Sequence, residues 1–464
     1  MTKDYKSTIF LPRTSFPMKA NLPEKESEIL QLWEKNKLYE ATIEKRKNCK
    51  KFILHDGPPY ANGNLHMGHA LNKILKDIIN RIHFMMGKQI NFVPGWDCHG
   101  LPIEWEVESK YRKSGKNKDD IPVVDFRREC RNFAKKWIDV QSNQFKRMGV
   151  SANWKDIYTT MDFSSEAKIV EELGLFLFNG YLYKGERPVL WSVVEKTALA
   201  EAEVEYQDHT SDTIIVSFPI IKTDKNFLKD TSLLIWTTTP WTIPGNRAVA
   251  YGSEIDYVVI KATKTSKDSL AKKNERLLVA LSLLDKALAE MGISEFDKEE
   301  TFRGSDLEGT ICEHPLRGKG YEHDVPAVSG DFVTVEAGTG FVHIAPGHGE
   351  DDFQLGKKHN LEIPKTVGPD GKFYETVPIF SGKHVYKVDS EIIELLKDCE
   401  KLKSVGKTTH SYPHSWRSKA PLIFRITPQW FISLSKNNLR KRALDAVEKV
   451  LWFPSPPNLL TFLP

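Results

Sequence analysis

Between Phe52 and Val93 the chain alternates strand, loop, helix and strand, and that alternation constrains the fold more than any other feature of the sequence. Phe52-Ile53-Leu54 is a short apolar run, and HDGPPYANGN (55–64) is a loop by its Gly, Pro and Asn content. Leu71, Ile74, Leu75, Ile78, Ile79 and Ile82 recur at helical intervals on one face, and Gly87 is placed to end that helix. Ile90-Asn91-Phe92-Val93 then reads as a second buried strand. Two strands joined through a helix cross over right-handedly and lie parallel, so an α/β fold with a doubly wound parallel sheet is expected. Ligands of such sheets sit at strand carboxyl ends, so HDGPPYANGN and GWDCHG (95–100) should face one pocket.

At 464 residues the chain exceeds what one core fills. Residues 1–50 read as an irregular, Pro-containing arm followed by a helix carrying Ile29, Leu30, Trp33 and Leu38. Residues 111–190 are mostly charged and helical in pattern. From 212 to 390 the text changes to short β-rich runs (TIIVSFP, SLLIWTTT, YVVIKA, RLLVAL, FVTVEA, FVHIA), the mark of a separate inserted domain. Pro421-Leu422-Ile423-Phe424 and Gln429-Trp430-Phe431-Ile432 again read as buried strands, where the parent sheet resumes. The expected divisions are 1–50, an extension; 51–198, the first half of the α/β domain with a helical connection; 199–400, the insertion; 401–455, the start of the return; and 456–464, an atypical tail.

A net charge of +4 is compatible with a nucleic-acid partner but well short of a polycationic binder. Cys49, Cys98, Cys130, Cys312 and Cys399 lie far apart without a CxxC pair, which excludes a readable disulfide framework or zinc knuckle. No run of about 18 apolar residues occurs, so a soluble, cytoplasmic protein without membrane contact is expected.

His66-Met67-Gly68-His69 falls at the loop-to-helix junction, where unpaired backbone N–H groups and the helix dipole attract phosphate. Two imidazoles three residues apart share a face and can donate to charge developing on an α-phosphate, while Gly68 would let a flat adenine approach the backbone. His-x-x-His is also a zinc-ligand spacing, and plain surface histidines are a third alternative. Gly406-Lys407-Thr408 invites a P-loop reading, but Lys401 stands where that motif needs its first Gly.

HMGH at 66–69 matches the His-x-Gly-His signature of class I aminoacyl-tRNA synthetases. DGPPYANGNLHMGHALNKILKDIINR followed by NFVPGWDCHGLPIE resembles, in one ordered match, the isoleucyl-tRNA synthetases. The resemblance covers about residues 5–455, including LAEAEVEY (199–206) and YPHSWRSKAPLIFRITPQWF (412–431). It implies a class I isoleucine–tRNA ligase with a Rossmann-type catalytic sheet. ATP and isoleucine would be substrates, Mg2+ would accompany ATP, tRNA(Ile) would be the acceptor, the chain would be a monomer, and no zinc site is expected. On the same grounds His66, Gly68 and His69 would bind ATP, with His66 and His69 catalytic; Gly57 and Pro58 would line the isoleucine pocket, and Asp97 would pair with the substrate's α-ammonium group. From the residues alone, Asp97 after Gly95-Trp96 also fits a turn.

Trp236-Thr237-Thr238-Thr239-Pro240-Trp241-Thr242 with Pro244-Gly245-Asn246-Arg247, and later GTGFVHIAPGHGEDDF from Gly338, resemble the two strips of that family's editing domain. Hydroxyls both donate and accept, so a threonine row can hold a terminal adenosine and position water. The resemblance gives Thr237, Thr238, Thr239, Asn246, His343 and Asp352 as the pocket, with Asp352 capturing the α-ammonium and His343 and Asp352 taking part in hydrolysis. Either strip alone is also a half-buried Thr-rich strand or a Gly-His turn. A second site is needed because one missing methylene is worth only about 1 to 3 kcal/mol in an apolar pocket, isoleucine against valine being the standard illustration of that limit.

Ser433-Leu434-Ser435-Lys436 only faintly resembles the second class I signature, and PPNLLTFLP departs from the family pattern. The second ATP signature and the anticodon-binding region are therefore expected to be missing, with a complementary polypeptide as one way to supply them. Three readings follow: a ligase, an editing-only aminoacyl-tRNA deacylase, or an inert tRNA-binding fragment.

Overall fold

The computed structural model describes residues 19–453 together with residues 5, 8–10 and 15; the expected tail at 456–464 and part of the initial arm lie outside the described residues. The protein is mixed α/β and divides into two compact units, 1–179 and 180–464.

In the first unit, α1 (Leu22–Lys35) and α2 (Leu38–Lys45) are one helical stretch broken at Lys37, whose φ is 50°. β1 (Lys51–Phe52) and β2 (Gln89–Ile90) pair in parallel across α3 (Met67–Met85), the crossover unit expected from the sequence. Gly87 ends α3 at φ 87°, with its N–H donating to Phe84 O (2.9 Å) and the Lys88 N–H to His83 O (3.0 Å). That left-handed turn is cheap only for glycine. β3 (Gly95–Trp96) pairs in parallel with β4 (Tyr158–Thr159), and α4 (Leu101–Lys113), α5 (Val123–Arg147) and α6 (Phe163–Phe178) complete the unit. The described strands thus give two short parallel pairs rather than one continuous doubly wound sheet.

Burial on α3 runs opposite to what its pattern suggests. Its six aliphatic residues share one face, but that face is exposed, from 40% at Ile79 to 63% at Leu71, while Lys73, Asp77 and Asn80 are buried. The polar face turns inward because loops supply its partners. Asp56 pairs with Lys73 and with Lys76 (2.8 Å), and Asp77 accepts from the Ser151 N–H (2.8 Å) and from Arg81 Nε (2.6 Å). The apolar core is correspondingly small: Ala61, Trp96, Cys98, Ile103, Ala134, Ile138 and Phe145, with Phe92, Val150 and Ala152 apart from them.

The second unit carries β5 (Leu182–Ser192), β6 (Thr197–Ala198), β7 (Val204–Lys222), β8 (Ser232–Thr237), β9 (Ala248–Tyr251), β10 (Asp256–Thr265), β11 (Arg276–Ala280), α7 (Leu284–Met291), β12 (Ile293–Arg303), β13 (Ile311–Glu313), β14 (Asp324–Ser329), β15 (Phe341–Ile344), α8 (Glu350–Lys358), α9 (Asp389–Asp398), β16 (Leu402–Ser415), β17 (Ile423–Ile432) and α10 (Leu439–Val447). Among the described residues a ten-stranded mixed sheet runs β12-β10-β11-β8-β7-β13-β14-β9-β15, with β16 also on β7. A continuous apolar core that includes Phe218, Leu233, Ile235, Tyr257, Leu277 and Phe341 fills it.

Five of the six expected β-runs of 212–390 lie wholly or largely in strands; FVTVEA instead forms turns at 332–337. The two runs after 420 form one strand, β17, antiparallel to β5 along its whole length. Its first half is buried at Ile423, but Trp430 is 65% exposed, so the expected second buried run is not buried. β16 pairs with β7 from Leu402 to Ser415, so both late strands belong to the second unit.

Candidate functional site

The site residues expected from the sequence fall into two groups, one in each unit. In the first unit, the loop before α3 and the turn at 95–100 are sewn together by backbone. The Asp97 N–H donates to Pro59 O (2.9 Å) and the Ala61 N–H to Asp97 O (3.0 Å), a parallel bridge between Tyr60 and Asp97. This ties residues 59–61 to Asp97, with Gly57 and Pro58 just before the join in the same loop. The Asp97 carboxylate is half-buried and loosely held, accepting from the His99 N–H (3.3 Å) and Thr160 Oγ1 (3.4 Å). A Cβ at Gly95 would stand 2.6 Å from the Tyr158 ring and 3.4 Å from Pro58 Cβ, so only glycine lets the strand and loop meet.

His66 is the N-cap of α3, and its neighbours fix its tautomer. Its Nδ1 accepts from the Gly68 N–H (3.1 Å), and its own N–H donates to His69 Nδ1 (3.2 Å). Both Nδ1 atoms therefore act as acceptors, and in the neutral rings the proton sits on Nε2, leaving two Nε2–H donors on rings whose centroids are 3.8 Å apart. Burial, with the His66 ring and Lys73 nearby, holds the His69 pKa below its ordinary value and keeps that ring neutral. Gly68 has a reason the sequence did not show: a Cβ there would lie 2.9 Å from His66 Cε1, so its bareness first accommodates the capping ring.

Sequence reasoning missed the residues that hold these loops. Gln141, buried on α5, donates from Nε2 to Tyr60 O (3.0 Å) and Gly63 O (2.7 Å) and accepts from the Trp96 indole N–H (2.9 Å). Gln144, one turn on, accepts from the Leu65 N–H (3.1 Å). Asp56 accepts from the Gly95 N–H (3.1 Å) besides its two lysines. The polar stripe of Lys73, Asp77 and Asn80, opposite the aliphatic one, gives no signal by itself, because on an amphipathic helix such a stripe is the solvent face.

In the second unit, β9 and β15 pair antiparallel with Val249 opposite His343 and Ala248 opposite Ile344, which sets Asn246 beside His343. Gly340 is required at this join, since a Cβ would lie 2.3 Å from Ala280 Cβ. A directed chain of hydrogen bonds results. Asn246 Nδ2 donates to Ala248 O (2.9 Å) and lies 3.3 Å from His343 Nδ1; His343 Nε2 is 2.8 Å from Thr242 Oγ1; and Thr242 Oγ1 donates to Thr239 O (2.9 Å). The single Thr242 hydroxyl hydrogen has two acceptors in reach, Thr239 O and His343 Nε2; with it on the carbonyl, His343 donates from Nε2 and accepts at Nδ1. Burial, and to a smaller degree His348, pushes the His343 pKa down to about 4, so the ring is neutral and neither nitrogen is left to take a proton from water.

Thr237 Oγ1 lies 3.2 Å from Thr239 Oγ1, and the half-buried Thr238 makes no side-chain hydrogen bond among the described residues. Asn246 is fully buried, and its Oδ1 has no partner among the described residues. Asp352, in the first turn of α8, accepts at Oδ2 from the Ala345 N–H (2.8 Å), two residues past His343. Burial lifts its carboxyl to about 7 against the opposing effect of that N–H. Thr242 was not singled out in the sequence, although its place in the threonine strip was a sufficient signal. His314, fully buried with its Nε2 3.1 Å from Ile243 O, supports the strip from behind.

The sequence pattern of the tRNA synthetases class I (I, L, M and V) matches residues 28–459. An isoleucine–tRNA ligase of Pelagibacter ubique (strain HTCC1062) is 53% identical over 449 residues, covering 97% of this chain and 49% of its own length. That of Gluconobacter oxydans (strain 621H) is 52% identical over 464 residues, with 97% and 48% covered. That of Rhodopseudomonas palustris (strain ATCC BAA-98 / CGA009) is 47% identical over 486 residues, again with 97% and 48% covered. The chain spans about half the length of the curated relatives it matches. Among solved structures, a LeuRS–tRNA–LeuAMS ternary complex of Agrobacterium radiobacter K84 aligns over 88% of this chain and 50% of its own at 15% identity, with a TM-score of 0.35, too weak a likeness to bear on the fold.

Proposed function

The chain belongs to the class I tRNA synthetases (I, L, M and V), with isoleucine–tRNA ligases among its relatives, and from that premise we propose an isoleucine–tRNA ligase whose second unit hydrolyses valine mistakenly joined to tRNA(Ile). The observation that carries the hydrolytic part is the directed relay from Asn246 through His343 and Thr242 to Thr239, with the raised Asp352 carboxyl close by in sequence.

In this reading the aminoacyl ester brings an α-ammonium group to Asp352. Burial disfavours the carboxylate there, and a cation restores it, so the pair forms with charge assistance. Thr237, Thr238 and Thr239 hold the terminal ribose and orient water. Water adds to the ester carbonyl, the acyl C–O bond breaks, and the ribose oxygen leaves carrying a proton, giving free valine and tRNA. Asn246, fully buried, orients His343 through its amide. His343 is assigned to positioning rather than to proton transfer, since both of its nitrogens are engaged. Isoleucine, one methylene larger, would be refused by size.

Activation of isoleucine by ATP is the companion reading for the first unit, and the paired Nε2–H donors of His66 and His69 favour it. Gly57, Pro58 and Asp97 would hold isoleucine, His66, Gly68 and His69 the phosphates and adenine, and magnesium would come with the triphosphate.

The test is a paired assay on the purified chain: isoleucine-dependent ATP–pyrophosphate exchange beside hydrolysis of pre-formed Val-tRNA(Ile). Hydrolysis is expected. Its absence in folded protein would sink the editing assignment, and exchange without hydrolysis would leave only the ligase reading.

A further inference from the structure

We infer that Arg425, with Tyr374 beside it, forms an anion site that takes a phosphodiester group of RNA, an inference that rests on the RNA substrate proposed above. Arg425 lies on β17 and is only 6% exposed. Its guanidinium is fixed on three sides. Nε–H donates to Val367 O (2.8 Å), Nη2–H donates to the Tyr374 hydroxyl oxygen (3.1 Å), and the group stacks 4.7 Å from the Trp191 ring centroid. Trp191 is itself anchored by its indole N–H, which donates to Pro369 O (2.9 Å).

No carboxylate among the described residues pairs with this buried cation, although other cations of the region are paired, Arg187 with Glu350 and Lys365 with Glu186. Burying a guanidinium without counter-charge is costly, and carbonyl and hydroxyl oxygens offset only part of that cost. The fork has five N–H donors and these two bonds use two of them. Nη1 has no partner among the described residues and is not fully sealed, so its N–H groups are the donors left to give. Tyr374, 37% exposed, accepts from Arg425 and so keeps its own hydroxyl hydrogen to give. A cationic fork and a phenol O–H, their heavy atoms 3.1 Å apart, suit an oxyanion that offers several acceptors, as a phosphodiester does.

The link to the pocket runs through His348. Its Nδ1 is 3.0 Å from the carbonyl oxygen of Phe424, the residue before Arg425, and its ring meets Trp241 of the threonine strip at 4.9 Å between centroids. An RNA whose 3′ end reaches Thr237–Thr239 carries a phosphodiester at each preceding nucleotide, and Arg425 is a cation without a carboxylate partner among the described residues, suited to receive one.

The experiment measures binding of unaminoacylated tRNA(Ile) to the full chain across a salt series, for the wild type, Arg425→Gln and Tyr374→Phe. Arg425→Gln should weaken binding about tenfold and lower the slope of log affinity against log salt by about 1, since one fewer counterion-releasing contact is made. Tyr374→Phe should weaken binding about threefold with an unchanged slope, because a neutral donor releases no counterion. Unchanged affinity in variants that melt as the wild type does would overturn the proposal. If Arg425→Gln does not fold, Tyr374→Phe decides alone, an unchanged affinity again overturning it. A parallel arm follows thermal protection by inorganic phosphate. Protection lost in the variants while tRNA affinity stays constant would assign the site to free phosphate and overturn RNA as the source. Because the probe carries no amino acid, a failed Val-tRNA hydrolysis assay and a failed binding result remain separate outcomes.

Discussion

The two units solve the same problem, holding loops in a fixed geometry, by opposite means. In the second unit the strips at 237–246 and 338–352 flank β8, β9 and β15 of one sheet, so the relay through His343 is set by the β9–β15 register and by the turn between β8 and β9, all within the unit. In the first unit the apolar clusters are small, and buried polar groups position the loops: Asp56 between Lys73 and Lys76, and Gln141 across Tyr60, Gly63 and Trp96. The difference teaches where each site is vulnerable. A pocket built on register fails when a chemical group is removed, whereas one built on buried polar contacts fails when a partner is left unpaired.

The sharpest way to break this comparison is to strip chemistry from each site in turn. Asp352→Ala should reduce Val-tRNA hydrolysis by a hundredfold or more, on the order of 3 kcal/mol of transition-state stabilisation, with little change in folding. The double variant His66→Ala, His69→Ala should leave hydrolysis as it was. Hydrolysis lost in the second variant while its melting is normal would show that the two sites are not separable.

Next in size is Gln141→Leu. It removes the acceptor of the buried Trp96 indole N–H and the donors to the half-buried Tyr60 O and Gly63 O. The first unit should lose about 2 to 4 kcal/mol in denaturant unfolding, with Val-tRNA hydrolysis retained. A loss under about 1 kcal/mol would mean that the loop is held by something other than this amide.

How far each unit was legible in the sequence follows the same division. The glycine at 87 and the loop-to-helix junction at His66 could be placed because turn chemistry is a local property, whereas the strips at 236–247 and 338–353 were marked by resemblance alone. The burial of α3 could not be read, because six aliphatic residues on one face signal a core face, and only long-range partners such as Asp56 and Ser151 reveal that the Lys73, Asp77 and Asn80 face turns inward. β12, ISEFDKEETFR, escaped notice because an edge strand, paired only with β10, can carry charge at nearly every exposed position. Gln141 lay in a helix whose pattern gave no sign that one amide would bridge residues about 80 positions away.

A pH series separates the roles of Asp352 and His343 with a smaller effect. The Asp352 carboxyl, raised by burial to about 7, is neutral below that pH and cannot hold an ammonium group. At low substrate, hydrolysis should therefore fall toward tenfold for each pH unit below about 7, and fall again above about pH 8, where the substrate's α-ammonium loses its proton. His343, lowered to about 4, is neutral across this window, so His343→Asn should reduce the rate without moving the midpoint. A midpoint that shifts with His343→Asn would return that residue to proton transfer.

Gly68→Ala should have the smallest effect on stability, and it bears most directly on how the first site is built. The new Cβ would stand 2.9 Å from His66 Cε1 and 3.1 Å from Nδ1, so the ring must swing away and give up its bond from the Gly68 N–H. Losing that cap costs about 1 kcal/mol, and replacing a helical glycine by alanine returns a similar amount, so the two nearly cancel in a melting experiment. The tautomer does not cancel. With Nδ1 released, His66 is no longer restricted to a proton on Nε2, and nitrogen-15 spectra of the neutral ring should change from the Nε2–H form alone to a mixture of both forms. If the spectrum stays that of the Nε2–H form, the cap is not what orients the donor, and the preorganisation assigned to the first site must come from His69 or from the loop alone.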